Sequence, residues 1–346
     1  MKRIYTLDLM KLVFAYVIAF FHFGINIAPG STVTVQIFFM ISGFFLAKKY
    51  YTRSHGRGDY SHWDYTLDHV KSLYPHYLFS YCAYFLYETA REVLVFLREP
   101  AMDSIRSMLL RLYDQVPNLL FLQSSHYFHD NMNYPVWQIS ALVIASFFVY
   151  GLLCHNEKLS RTLIFPAAIL MIQSVLHSGV DLFANFGPFY MPLLRAFSPL
   201  AIGVLTYYFT TTAYYDRLKA HPIAFNLFAI YGLAMIFLFN THGNVFLITT
   251  PVLILSCYDE NSWLNAIFNR RMFKHCGKLS YAIYLNHALM ARFVLARLIP
   301  KAESLGLNLP MWQQGAVYFC LLTVYSIFTL WLVETIMAKR KSRAIA

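Results

Sequence analysis

The sequence has few charged residues. They make up 13% of its 346 residues, against roughly a quarter in soluble globular domains. Apolar residues account for 58%, and the mean hydropathy is +0.47. This scarcity of charge excludes an ordinary water-soluble domain. It predicts an all-α, polytopic membrane helix bundle, because a chain in lipid must satisfy its own backbone hydrogen bonds.

Short motifs for metal binding, disulfides and common catalytic sites are also missing. The five cysteines are scattered and form no CxxC pair, which excludes a zinc site and a disulfide framework. No convincing Walker loop, GxSxG, HExxH or GxGxxG pattern is present. His126, His129 and Asp130 form a short cluster without the ligand spacing of known metal sites. We therefore predict no metal and no permanently bound cofactor.

Ten apolar segments can be read as transmembrane helices, which need about 20 residues each. They run approximately over residues 9–28, 33–50, 70–97, 134–154, 162–178, 190–209, 222–240, 244–258, 277–299 and 312–336. The segments follow one another along the whole chain. Residues 1–346 are therefore predicted to form a single integral-membrane domain in the cell membrane.

The basic residues are unevenly divided between the two sides of such a bundle. Lys and Arg number 28 against 17 Asp and Glu, a net charge of +11. With the N-terminus in the cytoplasm, 17 basic residues lie in cytoplasmic segments. The opposite loops hold only Arg98, Arg106, Arg111 and Lys301. This asymmetry predicts that both termini are cytoplasmic. It assigns the positive charge to contact with anionic membrane lipid, not nucleic acid.

One predicted outer loop, at about residues 98–133, is longer than a turn. Its apolar residues recur at helical spacing: Ile105, Met108, Leu109, Leu112 and Val116. Asp103, Arg106 and Asp114 fall between them. This pattern predicts an amphipathic helix lying on the outer membrane interface.

The first apolar segment carries ionisable residues on one helical face, with alanines between them: Asp8, Lys11, Ala15, Ala19 and His22. Lys11 and His22 are about 16 Å apart along a helix axis. A lysine near the cytoplasm suits phosphate, and a histidine further in suits proton abstraction from a hydroxyl. The alanines predict room for a thin molecule along this face. The alternative is that Lys11 snorkels and His22 bonds a neighbouring helix.

The ninth segment places Asn286 and His287 near the middle of the membrane. Hydroxyls on Ser280, Tyr281 and Tyr284 favour a structural, helix-to-helix hydrogen-bonding role for His287. Arg292 lies further out and needs either an acidic partner or an anionic ligand. The third segment holds a group that we expect to form a local ion pair, Glu88, Arg91 and Glu92.

Several short stretches are more specific together than any one is alone. They are Asp8-Leu-Met-Lys11 with Phe21-His22, Ile37 to Phe45, Lys71-Ser-Leu-Tyr74-Pro75, Pro135-Val-Trp137-Gln-Ile-Ser140 and Gly277-Lys-Leu-Ser280-Tyr281 to His287. In this order they resemble segments of the integral-membrane acyltransferase-3 family, and they spread over residues 8–287.

The resemblance implies an O-acyltransferase. Family members typically move an acyl group, often acetyl, from cytoplasmic acyl-coenzyme A to hydroxyls of surface polysaccharides, lipid-linked sugars or similar acceptors. It also implies a bacterial cytoplasmic membrane. The family signature Arg-x10-His stands here as Lys11-x10-His22. By this match His22 is the candidate catalytic base, and Lys11 is the candidate ligand of the donor phosphate or pantetheine.

The chain departs from the family pattern at two places. Lys11 keeps the charge of the usual arginine and loses its bidentate fork. Residues 138–145 contain no carboxylate, whereas many members have a glutamate after the tryptophan. The residue that orients His22 is therefore not identified by the sequence.

With this resemblance, a path for the donor can be predicted. The nucleotide of coenzyme A is expected near a basic mouth that holds Lys11, Lys71, Lys48 and Lys49, with pantetheine along the alanines toward His22. Candidate donors to the tetrahedral oxyanion are Ser42, Tyr281 and Asn286. Asp8, His287 and Arg292 are further candidates for supporting roles.

Two other function classes stay open. Buried ionisable residues also mark transport paths, so a secondary transporter is one alternative, although paired helix breaks in two halves are not seen. A non-catalytic member of the family is the other. The sequence leaves open the acceptor, the acyl chain length and the oligomeric state.

Overall fold

The computed structural model describes residues 3–54, 60–98, 106, 110, 113, 115–125, 133–181, 184–186, 189–239 and 245–343. Its helices are α1 (Tyr5–Phe23), α2 (Ser31–Ser54), α3 (His62–Arg98), α4 (Val116–Leu119), α5 (Trp137–Leu159), α6 (Phe165–His177), α7 (Met191–Phe209), α8 (Ala213–Lys219), α9 (Pro222–Leu238), α10 (Val245–Tyr258), α11 (Trp263–Phe268), α12 (Cys276–Phe293), α13 (Ile299–Ser304) and α14 (Met311–Arg343).

Short irregular elements connect or extend these helices. They are 3-10 turns at Tyr134–Val136 and Arg271–Phe273 and π-helical turns at Ser160–Ile164 and Val294–Leu298. Two strands of two residues each, β1 (Asn185–Phe186) and β2 (Phe189–Tyr190), pair as an antiparallel hairpin. In the part of the chain that the structure describes, this hairpin is the only sheet. The predicted all-α bundle is confirmed.

Each of the ten predicted segments contains an α-helix. Within the described ranges, five stretches are long and apolar enough to cross a membrane: Tyr5–Phe23, Val33–Arg53, Tyr134–His177, Arg271–Ser304 and Met311–Arg340. A sixth is formed if α7 and α8, bent by 82° at their junction, count as one span. Helices α9 and α10 are shorter and apolar. The count of ten spans and the cytoplasmic termini stay predictions.

Helices α2 and α7 form the closest-packed part of the bundle core. Gly43 and Gly203 face each other across this contact. A Cβ atom at Gly43 would collide with the carbonyl oxygen of Leu200, and one at Gly203 with that of Met40. Small residues let two helix backbones approach closely, and dispersion contacts then stabilise the pair.

Helix α1 runs along α12 and α14 on the other side of the bundle. Ala15 and Ala19 are fully buried in a cluster with Ile283 and Tyr318. The Tyr318 hydroxyl lies 3.2 Å from the carbonyl oxygen of Ala19 and 3.1 Å from that of His287, and donates to them. This side chain therefore ties the three helices together.

The described part of the predicted outer loop packs inward. Gln115, Asn118 and Gln123 are buried. The Tyr77 hydroxyl donates to the Asn118 carbonyl at 2.6 Å, and the Gln123 amide donates to that hydroxyl at 3.0 Å. Residues 115–125 therefore do not lie flat on an interface, because their polar groups bond with tyrosines of the bundle. The predicted amphipathic positions at 105, 108, 109 and 112 lie outside the described residues.

Candidate active site

Lys11 enters the interior of the bundle from α1. Its side chain is partly buried, and its amine lies 5.1 Å from the ring centre of Phe45 on α2. Among the described residues, the amine has no hydrogen bond or ion pair. Asp8 on the same helix attracts this cation without forming an ion pair with it, so the amine is available to an anionic ligand.

An outer cavity of about 340 Å³ lies on one side of this lysine. It lies toward the end of the bundle that carries Lys48 and Lys49, which we call the basic end. Its lining side chains include both charged and neutral polar groups: Lys11, Ser42, Lys49, Asp68, His69 and Ser72. Asp68 is about half exposed, so this cavity meets solvent at its rim.

An inner cavity of about 200 Å³ adjoins it and shares Lys11, Ser42 and His69 with it. Five helices supply its wall. The further lining residues are Phe38 of α2, Leu73 of α3, Gln138, Ile139 and Leu142 of α5, and Gly277, Ser280, Tyr281 and Tyr284 of α12. The two cavities form a passage from the basic end, past Lys11, to the side chain of Tyr284.

Two histidine rings lie beyond Tyr284. The His287 ring centre is 5.6 Å from that of Tyr284 and 5.3 Å from that of His22, and the two imidazoles are stacked with an interplanar angle of 23°. His22 also contacts the edge of the Tyr134 ring at 5.0 Å. Neither histidine lines the two cavities, so the passage that begins with Lys11 ends at Tyr284, next to the imidazole pair.

The hydrogen bonding of His287 fixes its tautomer. His287 is fully buried, and its Nδ1 lies 2.6 Å from the Tyr284 carbonyl oxygen. A carbonyl can only accept a hydrogen bond, so Nδ1 carries the proton and donates. Nε2 is then the unprotonated acceptor of the neutral ring. Within the described part of the chain, Nε2 has no hydrogen-bond partner.

The predicted ligand path along the alanines of α1 is wrong. Ala15 and Ala19 have no exposed surface and pack against α12 and α14. Alanine favours close helix packing, which removes the space that its small side chain suggested. The open space lies on another side of α1, between Lys11 and helices α2, α3, α5 and α12.

A family model described as an acyltransferase domain matches residues 4–335. The chain belongs to the acyltransferase-3 family. The resemblance predicted from short motifs is thereby confirmed, and the apolar helices agree with a membrane protein. No curated protein and no solved structure matches the chain. The chain is a membrane acyltransferase of this family, and its site residues must be argued from its own geometry.

The predicted donor-binding lysines of this acyltransferase are dispersed. Lys49 lines the outer cavity and lies 3.4 Å from a carboxylate oxygen of Asp68. Lys48 lies over the Tyr258 ring at 4.7 Å and lines a different cavity of about 410 Å³. Lys71 is exposed and lines neither part of the passage. Consecutive helical residues point about 100° apart, which explains why Lys48 and Lys49 face different cavities.

The predicted oxyanion donors also differ in position. Ser42 and Tyr281 line the inner cavity. Their hydroxyls donate to the carbonyl oxygens of Phe38 at 2.8 Å and Leu73 at 3.1 Å. Asn286 faces α14 and donates to the Thr329 hydroxyl at 2.9 Å, so it lies outside the walls of the passage.

Asp8 and Arg292, two further candidates, are in ion pairs. Asp8 lies 2.6 Å from the Arg3 guanidinium. Arg292 lies 2.7 Å from the Glu88 carboxylate, which is 1% exposed and also lies 3.1 Å from Arg91. The expected local ion pair of α3 is confirmed. Arg292 thus has the acidic partner that its depth requires.

Three residues of the site were not singled out by the sequence. Tyr134 contacts His22, while His69 and Gln138 line the inner cavity. His69 Nδ1 and Gln138 Oε1 are buried and have no partner among the described atoms. Only one indication of these two residues is present in the sequence, which is that they lie at family motifs. His69 precedes Lys71 by two positions, and Gln138 directly follows Trp137.

The described residues contain no group of three or more His, Cys, Asp or Glu side chains arranged to hold a metal ion. The short cluster at positions 126, 129 and 130 lies outside them.

Proposed function

We propose that this acyltransferase moves an acetyl group from cytoplasmic acetyl-coenzyme A to a hydroxyl of a cell-surface polysaccharide, lipid-linked sugar or similar acceptor in a bacterial cytoplasmic membrane. Family membership establishes acyltransferase activity in general. The observation that supports the finer proposal is the passage from the basic end, past Lys11, toward the stacked imidazoles of His22 and His287.

Lys11 and Lys49 are the proposed donor ligands. The outer cavity falls within the roughly 300–1,000 Å³ that small-molecule sites occupy. Lys11 forms no ion pair with any described residue, whereas Lys49 is paired with Asp68. Lys11 is thus the stronger phosphate or pantetheine ligand. Lys71 and Lys48 lie outside the passage, and their contribution is long-range attraction of the polyanionic donor.

His22 is the proposed catalytic base. Its imidazole takes the proton of the acceptor hydroxyl while the hydroxyl oxygen attacks the thioester carbonyl carbon. Collapse of the tetrahedral intermediate breaks the carbon–sulfur bond and releases the coenzyme A thiolate. The imidazolium then returns the proton to sulfur. The products are the acetyl ester and free coenzyme A, and the base is regenerated.

Stabilisation of the oxyanion is proposed for Ser42 and Tyr281, because both hydroxyls lie in the wall of the inner cavity. Each now donates to a helix carbonyl. Donation to the oxyanion therefore requires each hydroxyl to leave that carbonyl when the donor is bound. Asn286 is not assigned this role, because its amide is engaged by α14.

The test is release of free coenzyme A from acetyl-coenzyme A by the purified protein in detergent. His22→Ala should abolish the release, and His155→Ala, an exposed histidine at the end of α5, is the matched control. Equal rates for wild type and His22→Ala contradict the assigned base. Gradient-driven uptake of a solute into vesicles without coenzyme A release would instead favour a transporter.

A further inference from the structure

Two buried acceptor atoms lie on side chains anchored to consecutive carbonyls of α12. His287 donates through Nδ1 to the carbonyl of Tyr284, and Asn133 donates through Nδ2 to that of Leu285 at 3.1 Å. Both donor groups are thereby fixed in orientation. His287 Nε2 and Asn133 Oδ1 are left buried, with no partner in the described part of the chain.

The His287 side chain is next to the proposed base. The His287 ring stacks on that of His22, and Asn133 directly precedes Tyr134, whose ring contacts His22. Leaving a buried acceptor unsatisfied costs free energy. A bound molecule that brings its own O–H groups would remove this cost.

A single hydroxyl cannot satisfy both imidazoles. It has one proton to donate, and the proposed reaction gives that proton to His22. The unprotonated Nε2 of His287 therefore needs a second donor from the same acceptor. Since the two rings are 5.3 Å apart, a hydroxyl on the adjacent carbon of the acceptor is the natural source.

We propose that His287 is a specificity-determining residue that accepts a hydrogen bond at Nε2 from a second hydroxyl of the acceptor. The acceptor is then a vicinal diol or polyol in place of an isolated alcohol, and Asn133 Oδ1 accepts from a further hydroxyl where one is present. This inference rests on the proposed function, because it takes His22 to be the base that receives the reacting proton.

The experiment compares three probe acceptors with acetyl-coenzyme A and the full-length protein in detergent. These are trans-1,2-cyclohexanediol, its monomethyl ether and cyclohexanol, and the ester formed from each is quantified by mass. The wild type should prefer the diol over both mono-alcohols by at least about tenfold, because a mono-alcohol leaves the buried acceptor unpaired.

Two variants of His287 separate recognition from packing. His287→Asn keeps a donor for the Tyr284 carbonyl and loses the acceptor at the Nε2 position, so the preference for the diol should fall below about twofold. His287→Gln places an amide oxygen further along the side chain and should recover part of the preference. Thermal unfolding and calorimetric binding of acetyl-coenzyme A report whether each variant is folded.

The outcomes are distinct. Loss of the diol preference in His287→Asn, with the unfolding temperature and the affinity for acetyl-coenzyme A retained, supports the inference. Equal wild-type rates on diol and mono-alcohols, or an unchanged preference in His287→Asn, overturn it and leave the proposed function standing. An equal loss of rate on all three probes indicates a purely structural role and also overturns it. Absence of coenzyme A release by the wild type with every probe overturns the proposed function itself.

Discussion

Two polar regions inside the helices differ in how their groups are paired. Near the C-terminal end of α3, the Glu88 carboxylate lies between the guanidinium groups of Arg91 and Arg292. At the passage, no hydrogen bond or ion pair is made by the Lys11 amine to any described residue. Beyond Tyr284, the Nε2 atom of His287 has no hydrogen-bond partner in the described part of the chain. Both regions appear in the sequence as ionisable residues within apolar segments.

The difference separates structural polar groups from candidate functional ones. An ion pair buried among helices has its cost offset by its partners and needs no ligand. For unpartnered groups around a cavity, the free energy lost by removal from water is offset only when a ligand binds. The predictions below test this distinction, beginning with the change of largest expected effect.

His22→Ala should reduce the kcat of acyl transfer by about 10²–10⁴-fold, the usual contribution of a general base. The measurement is coenzyme A release, with folding checked by thermal unfolding. His155→Ala should leave the rate within about twofold. A wild-type rate in His22→Ala would place the reacting base elsewhere.

Lys11→Ala should weaken acetyl-coenzyme A binding by about 10- to 100-fold, because a hydrogen bond to a charged group contributes about 1.5–3 kcal/mol. Calorimetry on the purified protein measures it. Lys11→Arg keeps the charge and should retain most of the affinity. The exposed Lys158→Ala is the control, and an unchanged affinity in Lys11→Ala would remove the passage as the donor site.

Glu88→Gln should lower the free energy of unfolding by about 1–3 kcal/mol, because two guanidinium groups lose their buried carboxylate. Activity per folded molecule should stay at the wild-type level, since the pair lies apart from the passage. Glu303→Gln, at an exposed position, should change neither quantity. A selective loss of activity without loss of stability would show that this ion cluster belongs to the site.

Ala15→Leu should also destabilise the protein, by about 1–3 kcal/mol, because the added carbon atoms overpack the contact between α1 and α12. The affinity of the folded protein for acetyl-coenzyme A should remain within about twofold of the wild type. Calorimetry at a temperature where the variant is folded decides this. A large loss of affinity would indicate that the ligand does bind along the alanines of α1.

Lys49→Ala should weaken donor binding a few-fold, and Lys71→Ala by less than about twofold, since exposed or already paired charges contribute about 0–1 kcal/mol. Both effects should shrink as salt is raised. Titrations of acetyl-coenzyme A at two ionic strengths measure them. A larger effect at Lys71 than at Lys49 would indicate that the donor nucleotide binds outside the outer cavity.

Much of the fold could be predicted because hydropathy acts locally. Every predicted apolar segment contains a helix, and the family motifs were correctly interpreted. The site was predicted less completely. Lys11, Ser42 and Tyr281 do line the passage, whereas Asn286 faces α14. His69 and Gln138 were missed, because neither carries a signal that distinguishes a cavity wall from a helix contact.

The sequence by itself determined that this chain is an all-α membrane protein of the acyltransferase-3 family, because composition and short motifs need no knowledge of neighbouring helices. Only the tertiary structure decided that the alanines of α1 are sealed, that Lys48 and Lys49 face different cavities, and that Arg292 is paired with Glu88. Helical spacing states which residues share a face. Whether that face meets another helix or an open cavity depends on side chains that are distant in the sequence.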